Sequence, residues 1–170
     1  MFLDIHELKR RKRDFAEQLP PGRIDFGNDV SQVEPLEVEG SAELVASDIR
    51  LRGSLRTAVE IACARCLEPI FHPVEIEFVL FYRPIQTIAR AEEVEIKPAE
   101  LEIGFYHGSG LSLEDAIKEQ ILLALPMKSI CRPDCAGLCP QCGQNRNVAA
   151  CNCRSLPEDN RWTPLEKFMK

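Results

Sequence analysis

The sequence has 170 residues, of which 45% are hydrophobic and 28% charged, so it has enough apolar material for one domain and a small appendage. The formal net charge of −6 argues against non-specific binding of nucleic acid by the whole surface, although it leaves room for a local basic patch. No run of about 18 apolar residues is present, so the sequence predicts no membrane-spanning helix. The first residues show no basic stretch followed by an apolar one, and we therefore expect no signal peptide and a cytoplasmic location.

The N-terminal segment combines a possible strand with a strongly basic run. Residues 2–5 are apolar enough to add a strand to a sheet. The pair Pro20-Pro21 and Gly22 predict a break, after which an extended segment resumes at Ile24 and Phe26. Between these features lie five consecutive cations: Lys9, Arg10, Arg11, Lys12 and Arg13.

Two consecutive runs of alternating apolar and polar residues occupy the next part of the chain. They extend over 36–46 and 49–61 and are separated by Ser47 and Asp48, which suit a turn. A period of two in adjacent runs predicts an antiparallel hairpin with one buried face. The same reasoning predicts a third strand over 70–82, a connection over 83–100 and a further strand over 101–106.

The clearest helix signal follows the turn at 107–110. Ser112 is a good N-cap, Asp115 lies three residues further on, and Pro126 ends the pattern. The apolar residues Ile117, Ile121, Leu122 and Leu125 recur on one helical face. We therefore predict an α+β fold: an antiparallel β meander with one packed helix over 1–127, then an irregular zinc-binding tail over 128–170 with a short C-terminal helix starting at Thr163.

Six of the eight cysteines lie in this tail, where few large apolar residues could form a core. In a reducing compartment such a cluster favours metal binding over disulfides. The strongest part is the Cys-Pro-Gln-Cys-Gly segment at 139–143, because thiolates two residues apart chelate one ion and Gly143 permits a positive φ. We predict Zn²⁺ bound by four of six cysteines, with iron–sulfur ligation a minor alternative. The candidates are Cys131, Cys135, Cys139, Cys142, Cys151 and Cys153, and either the first two or the last two complete the set.

A second cysteine pair, Cys63 and Cys66, lies far upstream of the tail in a turn after the second alternating run. The first interpretation is a structural pair without chemistry. The second is another zinc site, completed by the two cysteines that the tail has to spare. The third is a redox pair in which Arg65 lowers a thiol pKa, although no βαβ pattern surrounds it.

The order of these motifs resembles that of a known family. The segment Cys-Ala-Arg-Cys-Leu-Glu-Pro at 63–69, a helix ending in Leu-Pro, and Cys-Ala-Gly-Leu-Cys-Pro-Gln-Cys-Gly at 135–143 are similar to those of the YceD family, whose members are called large ribosomal RNA subunit accumulation proteins. The resemblance extends from the first hairpin to Trp162. It implies a role in the accumulation of 23S ribosomal RNA and in large-subunit biogenesis, with no enzymatic activity.

Three hypotheses for function follow. The first is a non-enzymatic factor that contacts ribosomal RNA or a large-subunit precursor particle; its nucleic-acid contacts would be Lys9, Arg10, Arg11, Lys12, Arg13 and, in a mildly basic zinc-loaded tail, Arg146. The second is a zinc-dependent protein-interaction module that docks a basic partner such as a ribosomal protein. The third is a thiol oxidoreductase that uses Cys63 and Cys66.

Overall fold

The computed structural model describes residues 1–27, 29–85 and 103–153. In chain order the elements are β1 (Phe2–Asp4), α1 (Ile5–Leu8), β2 (Arg13–Leu19), β3 (Val30–Gln32), β4 (Leu36–Val45), β5 (Asp48–Ala62), β6 (Pro69–Pro84), β7 (Ile103–Tyr106), β8 (Gly110–Ser112) and α2 (Leu113–Ala124). Within these described ranges, no helix is long and apolar enough to cross a membrane.

The main sheet has six strands in the order β2-β4-β5-β6-β7, with β3 pairing to β5 beyond the end of β4. The alternation of residues 36–61 correctly predicts the β4–β5 hairpin, and β6 pairs with almost the whole length of β5. One pairing differs from the predicted antiparallel meander, because β7 runs parallel to β6. A parallel pair requires a long crossover, and the chain between Pro84 and Ile103 is long enough to provide it.

One face of this sheet carries the core and the other is polar. On β5, Ile49, Leu51 and Leu55 are buried, whereas the alternate residues point outward. Gly40 and Gly53 face each other across β4 and β5, and a Cβ on either glycine would overlap a backbone carbonyl of the opposite strand. Glycine is therefore required at this close approach of the two strands.

Helix α2 covers the core with the residues that its periodicity predicts. The Ser112 side chain accepts a hydrogen bond from the Asp115 backbone N–H at 3.3 Å, and Ile117 and Ile121 are fully buried. Leu122, predicted on the same face, is instead partly exposed. The helix ends at Ala124 because the residue before a proline avoids helical backbone angles.

The N-terminal third departs most from the sequence-based description. The predicted strand at 2–5 ends at Asp4, which caps the short helix α1, and β1 pairs with β8 in a separate two-stranded sheet. Strand β2 begins within the basic run at Arg13 and was not predicted. Ile24 and Phe26 are buried in the core without forming a strand. The C-terminal helix predicted from Thr163 and most of the predicted connection at 83–100 lie outside the described residues.

Candidate metal centres

The first group of four cysteines joins the β5–β6 turn to the tail. Cys63 and Cys66 lie in that turn, Cys131 and Cys135 follow α2, and their four sulfur atoms lie within 4.8 Å of one another. All but Cys131 are buried. We call this group the hairpin centre.

Backbone hydrogen bonds hold the tail against the turn on both sides of this centre. The N–H of Ala64 donates to the carbonyl of Ser129 at 2.8 Å, and the N–H of Leu138 donates to the carbonyl of Arg65 at 2.9 Å. The guanidinium of Arg65 also donates to the carbonyl of Cys135 at 2.9 Å. The turn and the tail therefore present their thiols to the same point.

The second group lies wholly within the tail. Cys139 and Cys142 come from the predicted Cys-x-x-Cys turn, and Cys151 and Cys153 close the loop, again with all sulfur atoms within 4.8 Å of one another. Cys142 and Cys153 are exposed, so this group is more open to solvent than the hairpin centre. We call it the tail centre.

The two Cys-x-x-Cys turns share one backbone geometry. The N–H of Leu67 donates to the carbonyl of Cys63 at 3.0 Å, and the N–H of Gly143 donates to the carbonyl of Cys139 at 2.9 Å. The residue after the second cysteine has a positive φ in both turns, 61° at Leu67 and 72° at Gly143. The positive φ predicted at Gly143 is thus confirmed. Leucine rarely adopts this conformation, and its presence favours a metal-binding turn over a pair without chemistry.

The sulfur separations of the hairpin centre suit a tetrahedral metal ion. The Sγ atoms of Cys63 and Cys135 are 4.0 Å apart, and those of Cys66 and Cys131 are 3.7 Å apart. Sulfur ligands placed tetrahedrally at about 2.3 Å from zinc lie roughly 3.8 Å from one another. A disulfide requires about 2.05 Å. The donor set of four thiols therefore fits zinc.

Hydrogen bonds from backbone N–H groups lower the pKa of one thiol in each centre, and a neighbouring thiol raises the pKa of another in the tail centre. The N–H of Cys131 lowers the pKa of Cys63 to about 6, and the N–H of Cys142 lowers the pKa of Cys139 to about 6. The neighbouring Cys142 side chain raises the pKa of Cys153 to about 12. Four thiols this close cannot all be deprotonated unless a cation compensates their charge. Such a cluster can release its protons when it binds a metal.

The side chain of Asn147 supports the hairpin centre from within the loop of the tail centre. Its Nδ2 donates to the Sγ of Cys135 at 3.3 Å. Its Oδ1 accepts hydrogen bonds from the Ala136 N–H at 2.8 Å and the Arg132 guanidinium at 2.9 Å. Asn145 in turn accepts from both nitrogen atoms of Asn147. These bonds fix the amide so that its NH₂ group faces the sulfur.

The structure selects among the cysteine combinations that the sequence leaves open. It brings Cys151 and Cys153 to the turn at 139–142, and it brings Cys131 and Cys135 to the upstream pair. The upstream pair, Cys63 and Cys66, whose first interpretation from the sequence is structural, forms half of a second candidate metal site. Burial of both thiols weighs against the redox interpretation. The Arg65 guanidinium contacts the carbonyl groups of Pro133 and Cys135, and it is the backbone N–H of Arg65 that donates to the Sγ of Cys63, at 3.4 Å. The positive φ of Leu67 and the hydrogen bond from Asn147 to Cys135 are features that spacing alone does not reveal.

The predicted nucleic-acid residues do not form one surface. Arg13 lies opposite Ala42, which lies opposite Leu51, so the basic run is at the end of the sheet where β2 and β5 begin. The metal centres adjoin the far end of β5, after Ala62. At about 3.3 Å per residue, these ends are roughly 36 Å apart. Arg146 is exposed at the metal end, separated from the basic run.

Two loaded centres change the charge of the tail. Between residues 128 and 154 the sequence has four cations and one acid, a formal charge of +3. Each Zn²⁺ with four thiolates contributes about −2, and Arg65 and Glu68 cancel in the turn at 63–69 that supplies Cys63 and Cys66. Two centres therefore bring the tail and this turn together to about −1. With one metal, the sequence predicts a mildly basic tail. With two metals the cationic surface lies at the opposite end of the sheet.

Comparison with known proteins gives the family. The sequence profile described as large ribosomal RNA subunit accumulation protein YceD matches residues 51–169, which include all eight cysteines. The chain belongs to this family. YceD homologue 1 of Arabidopsis thaliana, named as chloroplastic, is 24% identical over 160 residues, which cover 77% of this chain and 47% of that protein.

A protein of Mycobacterium tuberculosis, whose name states no function, is 32% identical over 115 residues, or 67% of this chain and 53% of its own length. The YceD homologue 1 of Zea mays is 26% identical over 130 residues, or 62% of this chain. This YceD chain thus spans about half the length of the curated relatives it matches. No solved structure matches it.

Proposed function

We propose that this YceD protein is a non-enzymatic, cytoplasmic factor that supports accumulation of 23S ribosomal RNA by contacting ribosomal RNA or a large-subunit precursor particle. The family name and the names of the plant homologues support the link to the large-subunit RNA. The proposed domain, 1–127, carries the RNA contact, and the proposed tail, 128–170, binds zinc together with Cys63 and Cys66 of that domain.

The observation that carries this proposal is a set of exposed cations at one end of the sheet. Lys9, Arg10 and Arg11 are exposed, and none of them forms an ion pair with another described residue. The other two cations of the run are partly neutralised, since Lys12 lies 3.4 Å from Asp14 and Arg13 pairs with Glu7. Unpaired cations are available to replace counterions on phosphates, which is the main source of RNA affinity.

Zinc has a structural role in this proposal. With Zn²⁺ in the hairpin centre, Cys131 and Cys135 tie the tail to the β5–β6 turn. With Zn²⁺ in the tail centre, the loop between Cys139 and Cys153 is closed. The tail has few apolar residues of its own, so metal binding supplies the free energy for its folding.

The test is titration of full-length, zinc-loaded protein with large-subunit ribosomal RNA over a range of salt concentrations. Replacing Lys9, Arg10 and Arg11 by Gln should weaken binding and reduce the slope of log affinity against log salt by about 0.7 to 0.9 per lost phosphate contact. The matched control removes three charges elsewhere, by Gln at Arg56, Lys118 and Lys128. Equal losses from the two triple variants, or no loss from the first, would contradict the proposal.

A protein contact is the second candidate, and one observation favours it at the metal end. Leu67, Phe71 and Val148 have exposed fractions of 65%, 59% and 77% there, beside a region with no net positive charge. Such a surface suits a partially apolar and basic protein such as a ribosomal protein. Crosslinking in cells tests it: protein adducts on the tail support this candidate, and RNA adducts there contradict it.

A further inference from the structure

The polar face of the main sheet carries an aromatic patch at the end where the basic run lies. Phe81 on β6 and Phe105 on β7 both point away from the core, with exposed fractions of 37% and 44%. Val79, two residues before Phe81, is 55% exposed on the same face. These side chains extend the apolar surface across two neighbouring strands.

The strand register places the two rings one diagonal step apart. Phe81 lies beside Ile103, and Phe105 is two residues further along the parallel strand β7. Diagonal neighbours on adjacent strands have Cβ atoms about 7 Å apart. Flat side chains at this spacing on an open sheet can each stack against one base of an unpaired strand.

Cations adjoin the rings on the neighbouring strand. Arg50 lies opposite Phe81 and Arg52 lies opposite Val79. Arg50 pairs with Glu43, but Arg52 forms no ion pair with any described residue. Lys12, Arg52 and Val79 line one shallow depression of about 820 Å³, which connects the end of the basic run to the apolar patch and is also lined by Asp14, Glu39 and Glu77.

The other half of the same face has the opposite character. Arg56 is held by Glu37 at 2.8 Å. Further carboxylates on this half are Glu39, Glu75 and Glu77. Of these, Glu39 and Glu77 also line the far side of the same depression, where they would repel phosphates. These carboxylates limit an anionic ligand to the side of the depression that Lys12 and Arg52 line.

We propose that the surface formed by Lys12, Arg52, Val79, Phe81 and Phe105 binds single-stranded RNA. The rings stack on unpaired bases, and the cations contact the adjacent phosphates. Paired bases are already stacked within a helix, so this arrangement selects single-stranded segments over duplex. The inference rests on the proposed function and specifies which form of RNA it engages. The alternative occupant is an apolar protein surface. It would require the apolar area of the patch but not aromatic rings that stack on bases.

The experiment compares a short unstructured RNA oligonucleotide with a blunt RNA duplex of the same length, each titrated into full-length, zinc-loaded protein at low salt. Replacing both Phe81 and Phe105 by Leu keeps the apolar surface but removes the stacking. We expect about tenfold weaker binding of the single strand for each ring lost and little change for the duplex. The matched control is Phe71→Leu, at an exposed ring on the same face of β6 at the metal end.

A second pair of variants leaves the aromatic residues intact. Arg52→Gln should weaken single-strand binding and reduce its salt dependence, whereas Arg56→Gln on the acidic half should change neither. This comparison keeps the inference testable if the double Leu variant fails to fold, as judged by circular dichroism and metal content.

The outcomes separate this inference from the proposed function. If the unsubstituted protein binds neither the single strand nor ribosomal RNA, direct RNA contact is wrong and the inference fails with it. If it binds RNA but neither the Leu variant nor Arg52→Gln differs from its control, the proposed function stands and this surface is excluded. If the Leu variant keeps RNA binding while replacement of both rings by Ser abolishes association with precursor particles, the patch contacts a protein, which also overturns the inference.

Discussion

The side-chain amide of Asn147 donates a hydrogen bond to the sulfur of Cys135 across 3.3 Å. Asn147 lies in the loop between the two cysteine pairs of the tail centre, whereas Cys135 belongs to the hairpin centre. The bond therefore connects the two centres. A metal bound in the tail centre would close this loop and hold the donor to the Cys135 sulfur in place, as groups that hydrogen-bond to a metal ligand commonly do.

Replacing Asn147 by Ala is expected to weaken metal binding at the hairpin centre by about 10- to 100-fold. The physical reason is that Cys135 loses a donor to its thiolate while Ala136 and Arg132 lose their acceptor. Competition with a chelator, followed through the sulfur-to-metal absorption of cobalt-substituted protein, measures the change. Gln144→Ala is the control, because this nearby exposed side chain makes no hydrogen bond within the described residues. Equal affinity in the two variants would refute the role of Asn147.

The positive φ at Leu67 predicts opposite effects of two substitutions at equivalent positions. Leu67→Gly removes the strain of a positive φ, which destabilises the fold by about 1 kcal/mol for a leucine. The substitution loses few packing contacts, because the Leu67 side chain is 65% exposed. Gly143→Ala introduces the same strain into the tail centre. The thermal midpoint of zinc-loaded protein should rise by about 2–4 °C in the first variant and fall by a similar amount in the second. A fall in both would show that Leu67 has a packing role that outweighs its strain.

The ion pair between Arg83 and Asp48 predicts a dependence of stability on acid. The hydrogen bond from Arg83, at 3.0 Å, lowers the pKa of Asp48 below its ordinary value of 3.8. A depressed carboxyl pKa stabilises the fold above the unfolded value, and the stabilisation disappears as the pH falls through the folded value. Asp48→Asn should therefore lower the free energy of unfolding by about 1 kcal/mol near neutral pH, and by progressively less below about pH 4.

Urea unfolding of both proteins over a pH series measures this difference. Because both proteins keep the same cysteines, loss of metal in acid affects them equally and cancels in the comparison. If the difference in free energy of unfolding between the two proteins stays constant from neutral to strongly acidic pH, the charge of Asp48 does not cause the loss of stability.

The parts of the fold that the sequence predicts correctly are those set by local patterns. The alternation of 36–61 and the capped helix after Ser112 both follow from periods of two and 3.6 residues. The sequence does not predict strand β2, because Phe15 is its only buried residue and the cations before it interrupt the alternation of apolar and polar residues. The direction of β7 depends on where a long connection returns, which no local pattern contains.

In the candidate metal centres too, local patterns predict some features and the fold alone determines the others. Spacing identifies each Cys-x-x-Cys turn, but it cannot say which distant pair completes it. The pairing of Cys63 and Cys66 with Cys131 and Cys135 depends on the fold bringing the β5–β6 turn beside the end of α2. In the sequence, Asn147 lies between the cysteine pairs of the tail and shows no relation to Cys135, whereas the fold brings its amide to that sulfur and suits it to a positioning role.

Metal content per chain tests the central claim, two zinc centres with these ligands, most directly. Elemental mass spectrometry on protein purified without a tag under reducing conditions should give two zinc ions per chain, and one after either Cys63 and Cys66 or Cys139 and Cys142 are replaced by Ser. One zinc in the unsubstituted protein, unchanged by serine at Cys63 and Cys66, would contradict the hairpin centre. Folded protein without metal would contradict both centres.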